Sequence, residues 1–260
     1  MVETSSHQEN AESLRSRERN VAEKETVIVT GAGRGIGAAV VKAFLDRGYN
    51  VVANSLTYSE SDLRSSAALA LVDGDIGKPE TAYRTAETAM SRFGSISHLV
   101  NNAGIFSARR FTDYTIDEFR RLASTNLEGF ILMTQQAVKH MLAKGSGGSV
   151  TTITAALASN PIAGVPASIA MITKGGLNAV TLSLASEYAR QNIRFNAVAP
   201  SIVDTPMHRE TPREVMQSLT PMGAIIEAKD IAEAVVYLTE ARHVTGEVLH
   251  VDGGAHAGRW

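Results

Sequence analysis

Short apolar runs alternate with longer apolar-periodic stretches along most of this chain, and that alternation predicts strands and helices in turn. Thr26–Thr30 (TVIVT) is β-branched, as a strand buried on both faces requires. A glycine-rich turn follows, and then a helical pattern that runs through Leu45 and stops at Gly48. Further strands are predicted over Asn50–Asn54, Leu69–Val72, Ser97–Val100, Ser149–Ile153, Ile193–Val198 and Glu247–Val251. Helices are predicted over about 80–93, about 116–143, about 166–190 and about 229–240. Residues 201–225 contain Pro206, Pro212 and Pro221 with little periodicity, and read as a loop or lid over a site. Seven strands separated by helices imply one α/β domain: three layers with a Rossmann-type, doubly wound parallel sheet over residues 25–260. Residues 1–24 are polar and highly charged, and read as an N-terminal extension.

Composition narrows the function classes. A formal net charge of −2 gives no electrostatic reason to expect nucleic acid or an anionic membrane as partner. There is no cysteine, which excludes disulfides, thiolate nucleophiles and cysteine-ligated metals. No apolar run approaches the roughly 20 residues that span a bilayer, and the first residues lack the apolar core of a secretory signal. A cytoplasmic location is the expectation. The seven histidines show no metal-ligand spacing, so no metal site is expected.

The turn Gly31-Ala-Gly33-Arg34-Gly35-Ile36-Gly37 lies directly after a strand and opens a helix. Glycines there let the backbone approach a ligand closely. The helix N-terminus then offers free N–H groups and a partial positive charge to a pyrophosphate. The spacing T-G-x-x-x-G-x-G in this context resembles the cofactor fingerprint of the short-chain dehydrogenase/reductase family. Other stretches resemble that family in the same order. Asp75-Ile76 falls at the pair beside the adenine, and Asn101-Asn102-Ala103-Gly104 at the family's N-N-A-G. Asn126 falls at its helix asparagine and Lys174 at the lysine of Y-x-x-x-K. Arg194–Pro200 is similar to R-V-N-x-V-x-P-G, with Ser201 in place of the glycine. Thr205 matches the contact to the nicotinamide amide, and Val251-Asp252-Gly253-Gly254 a C-terminal signature. The resemblance implies a nicotinamide cofactor contacted by these residues, with Asn54, Pro200 and Ile202 at neighbouring strand ends and Lys174 on the ribose. The second predicted strand ends without the acid that would bind a ribose 2′-OH. Arg34 can pair with a 2′-phosphate. NADP(H) is therefore expected over NAD(H).

The catalytic set that the resemblance implies is incomplete. Four residues before Lys174 stands Ala170, where the family has the tyrosine that transfers the proton. Tyr188 lies 14 residues beyond Lys174, roughly 21 Å along a helix, and cannot replace it. Ala155 falls at the family's serine, with Thr154 as a neighbouring hydroxyl of opposite facing. Asn126, Lys174 and Thr154 remain as candidate catalytic residues. His208 lies in the lid segment, and His250, His256 and Trp260 near the C-terminus, a region the family uses in subunit contacts. The two long helices carry Ala179, Leu182, Ala185 and Ala189; the resemblance implies that such helices build a homodimer or homotetramer. The expected activity is NAD(P)-dependent oxidation or reduction of a small alcohol or carbonyl. The alternatives are a catalytically silent dinucleotide-binding subunit or sensor, and a repurposed pocket with non-redox chemistry.

Overall fold

The computed structural model describes residues 24–59 and 61–257. The predicted extension over 1–24, apart from Lys24, and Trp260 lie outside them. Seven strands form one parallel sheet: β1 (Thr26–Thr30), β2 (Asn50–Ser55), β3 (Leu69–Asp73), β4 (His98–Asn101), β5 (Gly148–Ile153), β6 (Ile193–Pro200) and, last in the chain, a strand over Val248–Val251. Between β6 and that last strand, a short pair β7 (Val203–Asp204) and β8 (Ile226–Glu227) stands apart from the main sheet. The last strand is therefore β9, and the sheet order is β3-β2-β1-β4-β5-β6-β9. The order reverses between β1 and β4, and this opens a crevice at the carboxyl ends of the strands.

Every residue of β1 is buried, because helices cover both faces of the sheet. Successive residues of β1 face opposite layers. Val27 and Val29 join a core with Phe44 of α1 (Gly35–Asp46) and Ile231 and Val235 of α7 (Ala228–Glu240). Ile28 joins the other core, with Ala86 of α2 (Pro79–Phe93) and Met133 and Met141 of α4 (Gly129–Lys144). α3 (Ile116–Ala123) opens with a complete capping box, in which Thr115 and Glu118 bond each other's backbone N–H.

Two differences from the sequence reading bear on the site. The single helix expected over 116–143 is interrupted by a π-helical turn at Ser124–Glu128, which carries buried Asn126. The expected lid is partly ordered structure: β7 and β8 bracket a short helix, α6 (Arg213–Ser218), fixed by buried Met216. The long helix expected over 166–190 is α5 (Ser168–Tyr188). Its small residues do not form one outward stripe, because Ala185 packs into the chain's own core while Leu182 is exposed.

Candidate active site

The carboxyl ends of the strands open into one cavity of about 770 Å³, running from the ends of β2 and β3, past the switch between β1 and β4, to the loops after β5 and β6. The glycine-rich turn forms its floor. Gly31 and Gly35 take positive φ angles of 64° and 55°. A Cβ at Gly37 would stand 2.2 Å from the Gly31 carbonyl oxygen, and one at Gly31 would stand 2.7 Å from Ala103 Cα. Both positions therefore admit only glycine. A Cβ at Gly33 would strike the Ser55 hydroxyl at 2.6 Å, so the turn lies hard against the end of β2. Arg34 is the N-cap of α1, in extended conformation, and no side chain caps the helix. The first-turn N–H groups thus remain available to an anion.

A hydrogen-bonded clamp holds the crevice open at β1 and β4. The Thr30 hydroxyl accepts from the backbone N–H groups of Asn102 and Ala103, at 3.1 and 3.0 Å. The Asn102 amide donates to the carbonyls of Thr30 and Gly31 at 2.9 and 3.0 Å. At the far end, Asn54 is buried and donates to the carbonyls of Val72 and Gly74, tying the end of β2 to that of β3. Asp75 accepts from the Gly77 N–H in the adjoining turn.

Lys174, on α5, donates from Nζ to the Ile153 carbonyl at 2.8 Å. Burial of the ammonium lowers its pKa from 10.5 to about 8. A Cβ at Gly104 would come within 3.1 Å of Nζ and 3.4 Å of Asn126 Oδ1, so the glycine leaves room for both. The Asn126 amide is engaged by protein on both sides. Its Oδ1 accepts from Ile105 N–H at 2.9 Å, and its Nδ2 donates to the Ile105 carbonyl and the Thr173 hydroxyl, both at 3.0 Å. Thr173 in turn donates to the Ala170 carbonyl at 2.8 Å. The π-helical turn and α5 together lock the segment after Gly104.

Of the sequence-predicted residues, Gly31, Arg34, Gly35, Ile36, Asn54, Asp75, Ile76, Asn102, Ala103, Gly104, Thr154, Lys174, Pro200, Ile202 and Thr205 all line the cavity. Gly33, Gly37 and Asn126 stand just behind its wall. Thr205 lies over the turn, 3.3 Å from where a Cβ on Gly35 would be, so the 201–208 segment covers the glycine floor. Thr154 lines the cavity but its hydroxyl is directed to the Val198 carbonyl at 3.3 Å. Ala155 lines the cavity, whereas Ala170 is fully buried. His208 also lines it, and burial lowers the pKa of its imidazole. His250 and His256 stack on each other at 4.0 Å between ring centroids, and His256 pairs with buried Asp252 at 2.9 Å. Sequence reasoning missed Thr30, Thr173 and Arg121. A polar residue at a strand end or inside an apolar helix was the available signal for the first two. No cluster of three or more metal-ligating side chains occurs among the described residues. No described helix is long and apolar enough to cross a membrane.

A parallel sheet with its cavity at the topological switch point, an uncapped helix and a glycine floor define a dinucleotide-binding Rossmann-type domain. Residues 31–256 match the sequence family described as enoyl-(acyl carrier protein) reductase. The chain is similar to a 3alpha-hydroxysteroid dehydrogenase of Mediterraneibacter gnavus, 38% identical over 250 residues, covering 90% of this chain and 97% of that one. It is also similar to an L-rhamnose 1-dehydrogenase (NAD(P)(+)) of Sphingomonas sp., 31% identical over 251 residues, covering 90% and 97%. Among solved structures, the 3-ketoacyl-(acyl-carrier-protein) reductase of Brucella melitensis complexed with NADH superposes with a TM-score of 0.84 at 30% identity, covering 90% of this chain and 99% of that one. The chain belongs to the short-chain dehydrogenase/reductase family.

Proposed function

We propose that this protein is an NAD(P)-dependent oxidoreductase acting on a secondary alcohol or carbonyl without the family's usual tyrosine. The observation that carries the reading is the glycine floor beneath an uncapped α1, in a cavity that runs unbroken to Lys174. The cavity fits a dinucleotide, because the turn is packed so tightly that a Cβ at Gly31 or Gly37 would strike backbone, and this leaves the uncapped first turn of α1, with Gly35 and Ile36, at the cavity wall. When bound, the nicotinamide supplies or receives the hydride. The first turn of α1 binds the pyrophosphate, Lys174 holds the adjacent ribose, and Thr205 orients the carboxamide. Asn126 is a positioning residue: it fixes Ile105 and hence the wall beside Lys174.

Arg34 on the cavity wall and the lack of an acid along β2 favour NADP(H) over NAD(H). Residues 25–260 act as one domain, with 201–225 as its lid. Leu182 and Ile172, both exposed on α5, support a homo-oligomeric assembly through that helix.

A second reading has its own observation. Ala170 is buried away from the cavity and Ala155 carries no hydroxyl, so neither of these two positions offers a proton donor. A dinucleotide-binding subunit without turnover is consistent with that. Parallel fluorescence titrations with NADPH and NADH, followed by single-turnover mixing with ketones, separate the readings. Saturable binding that favours NADPH, with cofactor oxidation, is the expected result. Binding without oxidation of cofactor by any ketone leaves the second reading, and no binding overturns both.

A further inference from the structure

The sheet order divides the cavity. β2 and β3 flank one end, which carries Arg34, Asp75 and Arg121; β5, β6 and β9 flank the other. At the second end the wall is apolar: Ala155, Leu157, Ile162, Val165, Met207 and Leu219 come from the loops after β5 and β6. Among the described residues, no lysine, arginine or carboxylate lines that end beyond Lys174 itself. Three of its polar side chains already donate to the protein. Thr154 Oγ1 donates to Val198 O, Ser201 Oγ to Asp252 O, and Asn160 Nδ2 to His256 O. His208 differs: its imidazole makes no hydrogen bond among the described residues and borders the cavity from the lid.

We propose that this end takes a bulky, uncharged alicyclic ketone or secondary alcohol, whose oxygen is held by the His208 imidazole. The inference rests on the oxidoreductase reading and names its substrate class. A polyol placed here would find only the acceptor sites left on Thr154, Ser201 and Asn160 beside His208, and each further hydroxyl buried against the apolar wall would cost about tenfold in affinity or more. A carboxylate would meet no cation beyond the lysine that serves the ribose. An apolar ring gains from the wall and needs one hydrogen bond.

The test uses the full chain saturated with NADP⁺, titrated calorimetrically with 1-decalone, L-rhamnose and cyclohexanecarboxylate. Decalone is expected to bind at least about tenfold more tightly than either of the others. His208→Phe, which keeps bulk and removes the donor, is expected to weaken decalone about five- to tenfold, the worth of one hydrogen bond. NADP⁺ affinity should be unchanged in that variant, and His208→Gln, which restores an N–H donor, should recover most of the loss. Tighter binding of rhamnose or the carboxylate, absence of decalone binding, or equal decalone affinity in His208→Phe overturns the proposal. Titration with NADP⁺ alone reads the underlying oxidoreductase assignment separately. If the nucleotide does not bind, that assignment falls, and the same three probes applied to the protein without nucleotide still decide the preference of the cavity.

Discussion

Replacing Ala170 by tyrosine puts the missing phenol back one helical turn before Lys174, and the structure sets opposite signs on its effects on stability and rate. Ala170 is 0% exposed, and α5 packs against the turn at Ala156–Ala158. A ring at this fully buried position has to displace its neighbours. Overpacking of this kind costs about 1–3 kcal/mol, which for a chain of this size lowers the Tm by roughly 2–12 °C. The backbone link from Ala170 through Thr173 to Asn126 is unaffected, because it uses the residue 170 carbonyl. If the rest of the site is competent, a positioned proton donor raises the rate about 10²–10⁴-fold, or roughly 3–5 kcal/mol of barrier. The assay is ketone-dependent loss of NADPH absorbance, beside a thermal melt and an NADPH titration of the same samples. The expected outcome is a less stable, faster enzyme with unchanged NADPH affinity. A folded variant that binds NADPH as the parent does, yet reduces no faster even with Ala155→Ser added, would refute the reasoning. A parent already as fast as the variant would show that another group supplies the proton.

Two further perturbations probe the cofactor end. Gly37→Ala drives a methyl to within 2.2 Å of Gly31 O and 2.9 Å of Ala32 Cα, both backbone atoms that cannot step aside. Its NADPH affinity should fall at least about tenfold, with a destabilisation of about 1–3 kcal/mol; a melt and a titration indistinguishable from the parent would contradict this. Lys174 gives a pH signature. Its folded pKa of about 8 lies below its ordinary 10.5, so between those values the unfolded chain binds the extra proton and stability rises with pH. Below about pH 8 the buried ammonium costs at most about 3 kcal/mol, reduced by solvent at the cavity mouth. In urea titrations, the stability of the parent minus that of Lys174→Met should climb from pH 8 to 10.5 and be level below 8; a difference flat throughout would show an ordinary lysine.

The strand–turn–helix unit at Thr26–Asp46 was legible because its determinants are local: β-branched residues, then glycines at fixed spacing, then a 3.6-residue period. The remaining strands of the main sheet followed from the same alternation, whereas the residues at their carboxyl ends were singled out by the family resemblance and do line the cavity. What stayed hidden depends on distant contacts. Thr173 meets Asn126 across 47 residues, and the two come together only after α5 has packed. The short helix over Arg213–Ser218 owes its place to a single buried methionine, too little pattern to register. The apolar lining from Ile162 and Val165 is likewise invisible in a loop whose residues look unremarkable one at a time. The absence of tyrosine could be read directly, but its neighbourhood could not. Only in the folded chain is Ala170 sealed from the cavity while Ala155 is open to it.

The π-helical turn at Ser124–Glu128 amounts to one supernumerary residue within an otherwise regular helix. Each residue of an α-helix advances about 100°, so the insertion offsets the azimuth of everything before it from everything after it. α3 can then present its charged side outward while α4 keeps Met133, Ala137 and Met141 against the sheet. Excising a single residue here would erase that phase step. Either Asn126 would swing away from Ile105, or α4 would roll its methionines out of the core. The bulge thus works as a keyed coupling, in which the seating of a helix and the aim of one amide cannot be changed independently.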